Sequence, residues 1–281
     1  MQLEPGQIAV VTGAASGIGR ALALAFRAAG LQVVATDMNA SALQALQTAA
    51  LADGREAQFD TVVLDVRDAA ALEALAAQLE TRGGAAVLCN NAGVMVPRTL
   101  WEHSDAEWRW LMDVNVNGVM NGLRAFIPRM LARGTPAHVV NTCSMGGFLT
   151  SPILGGYSAT KFAVRALTES LLYDLQARSA NIGVSMLAPG AVNTGIFERR
   201  AEAPETEDAM TAGAREMMRQ GVAKTGSPPA EIANLVLAAI NADRYFVFPH
   251  PYLSAITDNA AAIASLQNPT FDWAATWKTD P

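Results

Sequence analysis

The chain has few cysteines, no basic cluster and no long apolar run, which argues against a disulfide framework, a nucleic-acid partner and a membrane span. It has only two cysteines among 281 residues, which predicts reduced core thiols rather than a disulfide framework. A net charge of −6 without a basic cluster argues against a polyanionic partner such as nucleic acid. No apolar run reaches the roughly 18 residues that a membrane-spanning helix needs. Glu4 and Pro5 lead directly into a strand, so we expect no secretory signal peptide and a cytoplasmic location.

The rest of the composition and the order of apolar segments are typical of a globular α/β enzyme. Hydrophobic residues make up 51% of the chain and charged residues 16%. Apolar stretches alternate regularly with helical patterns, and no linker-like segment occurs before residue 200. This predicts one domain over residues 1–281, with a doubly wound sheet of about seven parallel strands and helices on both faces. Strands are predicted at 7–12, 32–37, 60–65, 85–90, 137–143, 182–188 and 244–248, and helices at 17–30, 41–52, 69–81, 104–132, 157–178, 205–220 and 229–241.

A glycine-rich turn joins the first predicted strand to the first helix. Its defining residues are Gly13, Ser16, Gly17, Ile18 and Gly19. A turn of this kind presents the N-terminus of the helix to a pyrophosphate. A plain tight turn is the alternative, but the strand before it and the helix after it favour dinucleotide binding.

Asp37 closes the second predicted strand and bears on the choice between NAD and NADP. A carboxylate there can accept hydrogen bonds from the adenosine ribose hydroxyls. It would repel a 2′-phosphate about 5 Å away by roughly 3 kcal/mol at an effective dielectric near 20. The next residue, Met38, brings no positive charge. NAD is therefore the predicted cofactor, with NADP disfavoured, and a helix-capping role is the alternative for Asp37.

Tyr157 and Lys161 stand four residues apart at the start of a long helical pattern. This spacing places both side chains on one face of a helix. A nearby ammonium favours phenolate over phenol, so we expect Lys161 to lower the pKa of Tyr157 and make it a proton acceptor. Such a pair alone is ordinarily a solvated helix face. The glycine-rich turn at the other end of the chain is what favours a catalytic role.

In order from residue 7 to about residue 195, these motifs resemble those of the short-chain dehydrogenase/reductase family, which implies a Rossmann-type fold. The run from Thr12 to Gly19 matches the family's Thr-Gly-x3-Gly-x-Gly, and Asn90 to Gly93 matches its Asn-Asn-Ala-Gly. Tyr157 and Lys161 match its Tyr-x-x-x-Lys. The further matching residues are Asn115, Ser144, Pro189, Gly190, Val192 and Thr194.

The resemblance implies a catalytic role for four residues and no metal. Tyr157 would take the hydroxyl proton while hydride leaves the carbinol carbon for nicotinamide, and Lys161 would stabilise the phenolate. Ser144 would donate a hydrogen bond to the substrate oxygen, where negative charge develops. Asn115 would hold a water that links Lys161 to solvent. By itself, an asparagine within a helix is more readily explained as a polar tie.

The resemblance also implies a set of dinucleotide contacts. Asp65 and Val66 would lie at the edge of the adenine, although Asp65 could equally cap a helix. The segment from Pro189 to Thr194 would hold the nicotinamide. The full expected set is Gly13, Ser16, Gly17, Ile18, Gly19, Asp37, Asp65, Val66, Asn90, Ala92, Gly93, Tyr157, Lys161, Pro189, Gly190, Val192 and Thr194.

Apolar side chains around these motifs predict the wall of a substrate pocket. Methionines and aromatics suit a bulky, largely uncharged substrate such as an aryl or alicyclic secondary alcohol, although each could equally belong to the core. Residues 195–226 resemble the family's lid over the substrate, with a solvated linker as the alternative. The expected pocket residues are Met95, Met145, Phe148, Leu154, Ile196 and Phe197.

The C-terminal extension, residues 249–281, goes beyond the minimal length of the family. Together with the sequences around Pro128 and Ser144, it resembles, more weakly, bacterial dehydrogenases that act on benzylic alcohols of lignin-type aryl ethers. His250 lies between two prolines and is expected to be structural rather than catalytic. Pro128 is expected to kink or restart its helix.

The helices at 104–132 and 157–178 are apolar on more than one face. A sheet covers one face, and a partner subunit is the natural cover for the other. The family resemblance implies that these helices pair between subunits, so we expect a homotetramer, with a dimer as the alternative.

The leading interpretation is an NAD-dependent dehydrogenase that acts on a bulky, largely apolar secondary alcohol. One alternative is an NADPH-linked ketone or 3-oxoacyl reductase, against which Asp37 argues. The other is a non-catalytic redox sensor that binds a dinucleotide, against which the presence of both Tyr157 and Lys161 argues.

Overall fold

Seven strands form the centre of the protein in a computed structural model that describes residues 1–52, 54, 58–197, 209–251 and 253–271. The strands follow the apolar runs of the sequence, and helices separate them along the chain. They are β1 (Ile8–Thr12), β2 (Gln32–Asp37), β3 (Phe59–Val63), β4 (Ala85–Asn90), β5 (Ala137–Thr142), β6 (Ile182–Leu187) and β7 (Phe246–Val247).

The helices of the described residues lie between these strands and after the last one. They are α1 (Gly17–Ala28), α2 (Ala40–Leu51), α3 (Ala69–Glu80), α4 (Asp105–Met112), α5 (Gly118–Arg133), α6 (Gly155–Ala177), α7 (Ala209–Thr225), α8 (Pro229–Asn241) and α9 (Leu253–Ala264).

The strand order is β3-β2-β1-β4-β5-β6-β7, and every pair is parallel. The order reverses between β1 and β4, so the connections leave these two strands in opposite directions. Such a reversal opens a crevice at the carboxyl ends of the strands, where ligands of doubly wound sheets bind. The predicted α/β fold with seven parallel strands is confirmed.

Two separate buried clusters cover the two faces of the sheet. Adjacent residues of β5 show the division, because Val139 belongs to one cluster and Val140 to the other. Side chains of a strand alternate between faces, so a parallel strand covered by helices is apolar on both. The two cysteines are buried and free, and Cys89 and Cys143 lie in different clusters.

The predicted helix 104–132 is interrupted, but not at Pro128. It consists of α4, one π-helical turn over Asp113–Asn117, and α5, which continues through Pro128 without restarting. A π turn accommodates an extra residue in a helix and often occurs at functional sites. A capping box starts α4, because the side chains of Ser104 and Glu107 accept from each other's backbone N–H groups.

Other boundaries differ at the C-terminal side of the chain. Helix α7 runs on to Thr225, beyond the predicted end at 220, while its predicted start at 205–208 lies outside the described residues. Strand β7 has two residues rather than the predicted five. None of the helices in the described part of the chain is long and apolar enough to cross a lipid bilayer.

Candidate active site

The glycine-rich turn lies between the end of β1 and the start of α1. Gly13 and Gly17 have φ angles of +64° and +54°, a backbone conformation that favours glycine. A Cβ on Gly19 would collide with the carbonyl of Gly13, so this approach also requires glycine. No acidic side chain lies in the first turn of α1. The positive end of the helix dipole and its N–H groups therefore suit a phosphate.

Thr12 and Asn91 fix this turn against the end of β4. The hydroxyl of Thr12 accepts hydrogen bonds from the N–H groups of Asn91 at 2.9 Å and Ala92 at 3.1 Å. The side-chain amide of Asn91 donates to the carbonyl of Thr12 at 3.0 Å. Both residues belong to motifs recognised in the sequence, but their positioning role was not predicted. Thr12 contacts residues about 80 positions along the chain, and a contact of this kind leaves no pattern in the local sequence.

Asp37 is buried at the end of β2, with a relative exposure of 5%. Its carboxylate accepts hydrogen bonds from the N–H groups of Ala15 in the glycine-rich turn at 3.1 Å and of Asn39 at 3.0 Å. The cap of α2 is Asn39, whose side chain accepts from the N–H of Ala42. The helix-capping alternative for Asp37 is therefore wrong, and the carboxylate faces the turn.

Asp65 and Val66 lie in the loop after β3. Asp65 forms an ion pair with Arg67 at 2.6 Å, and the hydrogen bond from that guanidinium lowers the pKa of the carboxyl. The cap of α3 is Asp68, so Asp65 does not cap it. The carbonyl of Val66 accepts from the side chain of Asn121 at 3.0 Å, which holds the loop on α5.

Asn90 ends β4, and the Ala92–Gly93 turn follows it. The Asn90 amide donates to the side chain of Asn141 at 2.9 Å and links β4 to β5. A Cβ on Gly93 would lie 3.4 Å from Asn115 Oδ1 and 3.6 Å from Lys161 Nζ. The turn therefore brings the backbone that follows β4 close to two of the expected catalytic residues.

The structure brings Tyr157 and Lys161 together on α6, at the carboxyl end of β5. Lys161 Nζ lies 5.7 Å from the centroid of the Tyr157 ring and donates to the carbonyl of Thr142 at 2.9 Å. Both residues are buried, with relative exposures of 6% and 3%. The solvated-face alternative is therefore wrong.

The charges of this pair do not follow the sequence-based expectation. Burial raises the pKa of Tyr157 to about 12, while a hydrogen bond with Ser144 lowers it and nearby Cys143 raises it. Burial also lowers the pKa of Lys161 to about 8. Because burial disfavours the charged form of both groups, the expected lowering of the tyrosine pKa by Lys161 is not observed. At neutral pH, Tyr157 carries its proton.

Ser144 lies directly beside the tyrosine. Its hydroxyl accepts from the N–H of Gly146 at 3.1 Å and donates to the carbonyl of Pro189 at 3.4 Å. A Cβ on Gly146 would lie 3.2 Å from the ring of Tyr157, so the close approach of this turn to the ring depends on a glycine. The serine hydroxyl is consequently poised between the phenol and the segment after β6.

Asn115 is fully buried in the π-helical turn. Its side chain accepts from the N–H of Val94 at 2.8 Å and donates to the carbonyl of Val94 and to the hydroxyl of Thr160, each at 2.9 Å. These bonds tie the loop after β4 to α6, next to Lys161. The side chain has the contacts of a polar tie, and the water-holding role stays a prediction.

The segment after β6 returns to the glycine-rich turn. The carbonyl of Pro189 accepts from the N–H of Met145 at 2.9 Å, and the N–H of Gly190 donates to Nδ1 of His250 at 3.0 Å. Val192 is buried and pairs with Ser227. Thr194 reaches Gly17, because a Cβ there would lie 3.0 Å from Cγ2 of the threonine. The nicotinamide and pyrophosphate residues expected from the sequence thus converge on one crevice.

A third, small apolar cluster links the start of α6 to α7. Ile153 and Met218 are buried in it, and Leu154 and Phe197 pack against it. The hydroxyls of Thr99 and Thr211 meet at 3.2 Å and bind the loop after β4 to α7. Ile153 has a φ of +59°, which is unusual for a β-branched residue, and its carbonyl accepts from the N–H of Arg98 at 2.7 Å.

The other expected pocket residues differ in their surroundings. Met95 and Met145 are buried near the site, and Ile196 is partly exposed. Phe148 packs on Phe248, with ring centroids 5.2 Å apart, which favours a core position over a pocket position for this residue. Residues 198–208 of the expected lid lie outside the described residues. Among the residues that the structure describes, no cluster of side chains could hold a metal ion.

Two curated relatives cover most of the chain. The 1-deoxy-11-beta-hydroxypentalenate dehydrogenase of Streptomyces exfoliatus is 37% identical over 243 residues, 85% of this chain and 82% of the relative. The C alpha-dehydrogenase of Sphingobium sp. strain SYK-6 is 30% identical over 278 residues, 92% of this chain and 88% of the relative.

Solved structures with the same fold carry either dinucleotide. A short-chain dehydrogenase/reductase from Burkholderia phymatum in complex with NAD has a TM-score of 0.91 and 36% identity, over 97% of this chain and 99% of that chain. A metagenomic short-chain oxidoreductase in complex with NADP has a TM-score of 0.70 and 28% identity, over 88% and 97% of the two chains. The family model described as short chain dehydrogenase matches residues 7–205. The chain belongs to the short-chain dehydrogenase family, and is thus an oxidoreductase acting on CH–OH groups.

Proposed function

We propose that the protein is an NAD-dependent oxidoreductase that moves a hydride between a bulky, largely apolar secondary alcohol, aryl or alicyclic, and nicotinamide. The observation that carries the proposal is the position of Tyr157. The centroid of its ring lies 5.7 Å from Lys161 Nζ, and its hydroxyl is hydrogen-bonded with Ser144. These side chains border the crevice that begins at the glycine-rich turn.

The residues of that crevice fit a dinucleotide. Gly13, Gly17 and Gly19 leave room where side chains would collide, and the N-terminus of α1 suits the pyrophosphate. The Pro189–Thr194 segment, which meets both Ser144 and Gly17, would hold the nicotinamide. The bound nicotinamide supplies the hydride acceptor in oxidation and the hydride donor in reduction.

The protein itself supplies the proton chemistry. In reduction, the protonated Tyr157 donates its hydroxyl proton to the substrate oxygen, and in oxidation the phenolate accepts it. Ser144 turns its hydroxyl from the carbonyl of Pro189 toward the substrate oxygen and stabilises the charge that develops there. Lys161 stays anchored to the carbonyl of Thr142, and its charge would offset part of the cost that burial adds to forming the phenolate.

Asp37 supports NAD over NADP. Its carboxylate is held at the end of β2 by two backbone N–H groups and faces the glycine-rich turn, so a 2′-phosphate near it would be repelled. A related structure is a complex with NAD. An NADPH-linked ketone or 3-oxoacyl reductase is the competing function. A related structure is a complex with NADP, so the assay includes this cofactor. A non-catalytic redox sensor would bind the dinucleotide but turn over no alcohol.

Apolar contacts support the substrate class. The cluster of Ile153, Met218 and their neighbours lies next to the start of α6, the helix that carries Tyr157, and its side chains carry no charge. We interpret α7 as part of a substrate lid over residues 195–226, within a single catalytic domain that covers the whole chain. One relative is named for a hydroxypentalenate and another is named a C alpha-dehydrogenase, in line with a bulky alcohol.

We also propose self-association as a homotetramer, or a dimer, in the cytoplasm. Phe162 and Leu131 are each 38% exposed on the two helices expected to pair, and Tyr173 is 57% exposed. A partner subunit would cover these side chains. Sedimentation that gives only a species of about the mass of one chain, 29.6 kDa, would contradict the assembly.

A panel of aryl and alicyclic secondary alcohols tests the function. Each alcohol is incubated with NAD or NADP, and reduced cofactor is followed by its absorbance. We expect turnover with at least one bulky alcohol, and a kcat/KM for NAD about a hundredfold above that for NADP. Faster turnover with NADP, or ketone reduction with NADPH alone, would favour the reductase. Tight binding of NADH without any turnover would favour the sensor.

A further inference from the structure

Strand β7 and the residues after it run beside the Met186–Gly190 segment and hold it by hydrogen bonds at every second residue. The N–H of Met186 donates to the carbonyl of Tyr245 at 2.7 Å, and that of Ala188 to Val247 at 2.9 Å. In a regular parallel ladder, the next N–H, from Gly190, would donate to a backbone carbonyl of the neighbouring strand. It donates instead to Nδ1 of the His250 imidazole at 3.0 Å.

The peptide unit that His250 holds also carries the acceptor of the Ser144 hydroxyl. The carbonyl of Pro189 and the N–H of Gly190 belong to one planar peptide group, so fixing one end fixes the other. That carbonyl accepts from Met145 N–H at 2.9 Å and from the Ser144 hydroxyl at 3.4 Å. A single rigid unit therefore lies between the imidazole and the serine beside Tyr157.

We propose that His250 is a positioning residue, which orients the Pro189–Gly190 peptide and through it Ser144. The inference rests on the proposed function, because Ser144 matters to the rate only if the enzyme transfers hydride to or from an alcohol. Nδ1 is an acceptor, so the ring is neutral and carries its proton on Nε2. Burial lowers the pKa of His250 and favours this neutral form. A charged ring would present an N–H to the N–H of Gly190 and break the contact.

Amide exchange of Gly190 tests the anchor without any need for activity. His250→Leu removes the acceptor and keeps a side chain of similar size, whereas His250→Asn keeps an acceptor oxygen near the position of Nδ1. We expect exchange at Gly190 to rise about fivefold or more in His250→Leu and to stay near wild type in His250→Asn. Unchanged exchange in His250→Leu would overturn the proposal.

Kinetics test whether the anchor acts through Ser144. We expect His250→Leu to lower kcat about tenfold, with the KM for NAD changed less than about threefold, and His250→Asn to recover most of kcat. In a Ser144→Ala background, His250→Leu should lower kcat no further, because the hydroxyl that it positions is gone. If His250→Leu lowers kcat equally in the wild-type and Ser144→Ala backgrounds, His250 does not act through Ser144. If His250→Asn keeps the wild-type melting temperature but does not recover kcat, His250 contributes only packing. Either result would overturn the positioning role.

The two readouts separate this inference from the proposed function. A wild-type protein that oxidises no alcohol would refute the function, while Gly190 exchange would still decide whether His250 holds the peptide. A wild-type protein that turns over alcohols, with His250→Leu at full kcat, would refute the positioning role and leave the function intact.

Discussion

The proposed cofactor side of the site and the proposed substrate side are held by different kinds of contact. On the cofactor side, Thr12, Asp37 and Asn91 lock the glycine-rich turn with hydrogen bonds to backbone groups. On the substrate side, α7 rests on a small apolar cluster and one pair of threonine hydroxyls. Directional bonds fix one geometry, whereas apolar contacts allow several. The difference is suited to a cofactor that is always the same and to a substrate whose shape can vary.

Tyr157 lies where the two sides meet, so its removal should have the largest effect. Tyr157→Phe should lower kcat for alcohol oxidation by about 10²–10⁴-fold and leave NADH binding nearly unchanged, because only the proton acceptor is lost. Tyr173→Phe is the matched control on the same helix, since the Tyr173 hydroxyl bonds only to Glu169 among the contacts described for it, and the ring that a partner subunit would cover is kept. Stopped-flow turnover and NADH fluorescence measure the two quantities, and wild-type kcat in Tyr157→Phe would exclude the tyrosine as proton acceptor.

Removing the charge of Asp37 should change the preference between NAD and NADP and leave the binding of the alcohol unchanged. Asp37→Asn keeps the shape of the side chain and one of its two backbone hydrogen bonds, and it removes the repulsion of a 2′-phosphate. The ratio of kcat/KM for NADP to that for NAD should therefore rise by up to about a hundredfold. The KM for the alcohol should stay constant. Asp105→Asn is the control, because that carboxylate is 92% exposed on α4. An unchanged ratio in Asp37→Asn would remove the basis of the NAD assignment.

The pH dependence should distinguish the two directions of the reaction. Tyr157, with a pKa of about 12, is protonated at neutral pH, so its phenolate fraction grows about tenfold per pH unit. The kcat/KM for oxidation should therefore rise with pH, while that for ketone reduction should stay nearly constant, because almost all of Tyr157 keeps its proton. Lys161, with a pKa of about 8, loses its charge as pH rises further, which should flatten the oxidation profile. An oxidation rate that falls between neutral and mildly alkaline pH would contradict this scheme.

The smallest expected effect on activity comes from shortening a side chain of α7, on the proposed substrate side. Met218 is 3% exposed in the α7 cluster, while its neighbour Met217 is 43% exposed. Met218→Ala should lower the free energy of unfolding by about 2 kcal/mol and raise the KM for a bulky alcohol several-fold, with the KM for NAD unchanged. Met217→Ala should do neither. Chemical denaturation and initial rates measure both, and equal effects of the two variants would show that α7 does not close the pocket.

The fold and the backbone geometry of the glycine-rich turn were largely predictable from the sequence. Regular alternation of apolar strands and helices predicts the sheet, and the turn containing Gly13 and Gly19 has a local signature because its chemistry needs glycine. Asp37 is likewise predictable from its place at the end of a strand. These features depend on residues close together in the chain, and the physical reason for each can be read from a short segment.

What was not predictable depends on contacts between distant segments. The π-helical turn around Asn115 depends on a shift of backbone hydrogen bonds that leaves no mark in the apolar pattern. The contact of His250 with Gly190 joins residues sixty positions apart. The sign of the Tyr157 pKa shift was predicted from one neighbour, Lys161, but burial by the whole fold decides it.

The backbone of Ile153 has one more consequence. A β-branched residue held at a φ of +59° costs about 1–3 kcal/mol relative to a relaxed conformation. Glycine would relieve that cost and so stabilise the backbone at this position. Ile153→Gly would also leave a cavity in the cluster that supports α7, which destabilises the fold. Selection for thermal resistance and selection for a shaped pocket would therefore favour different residues at this position, as expected where activity and stability compete.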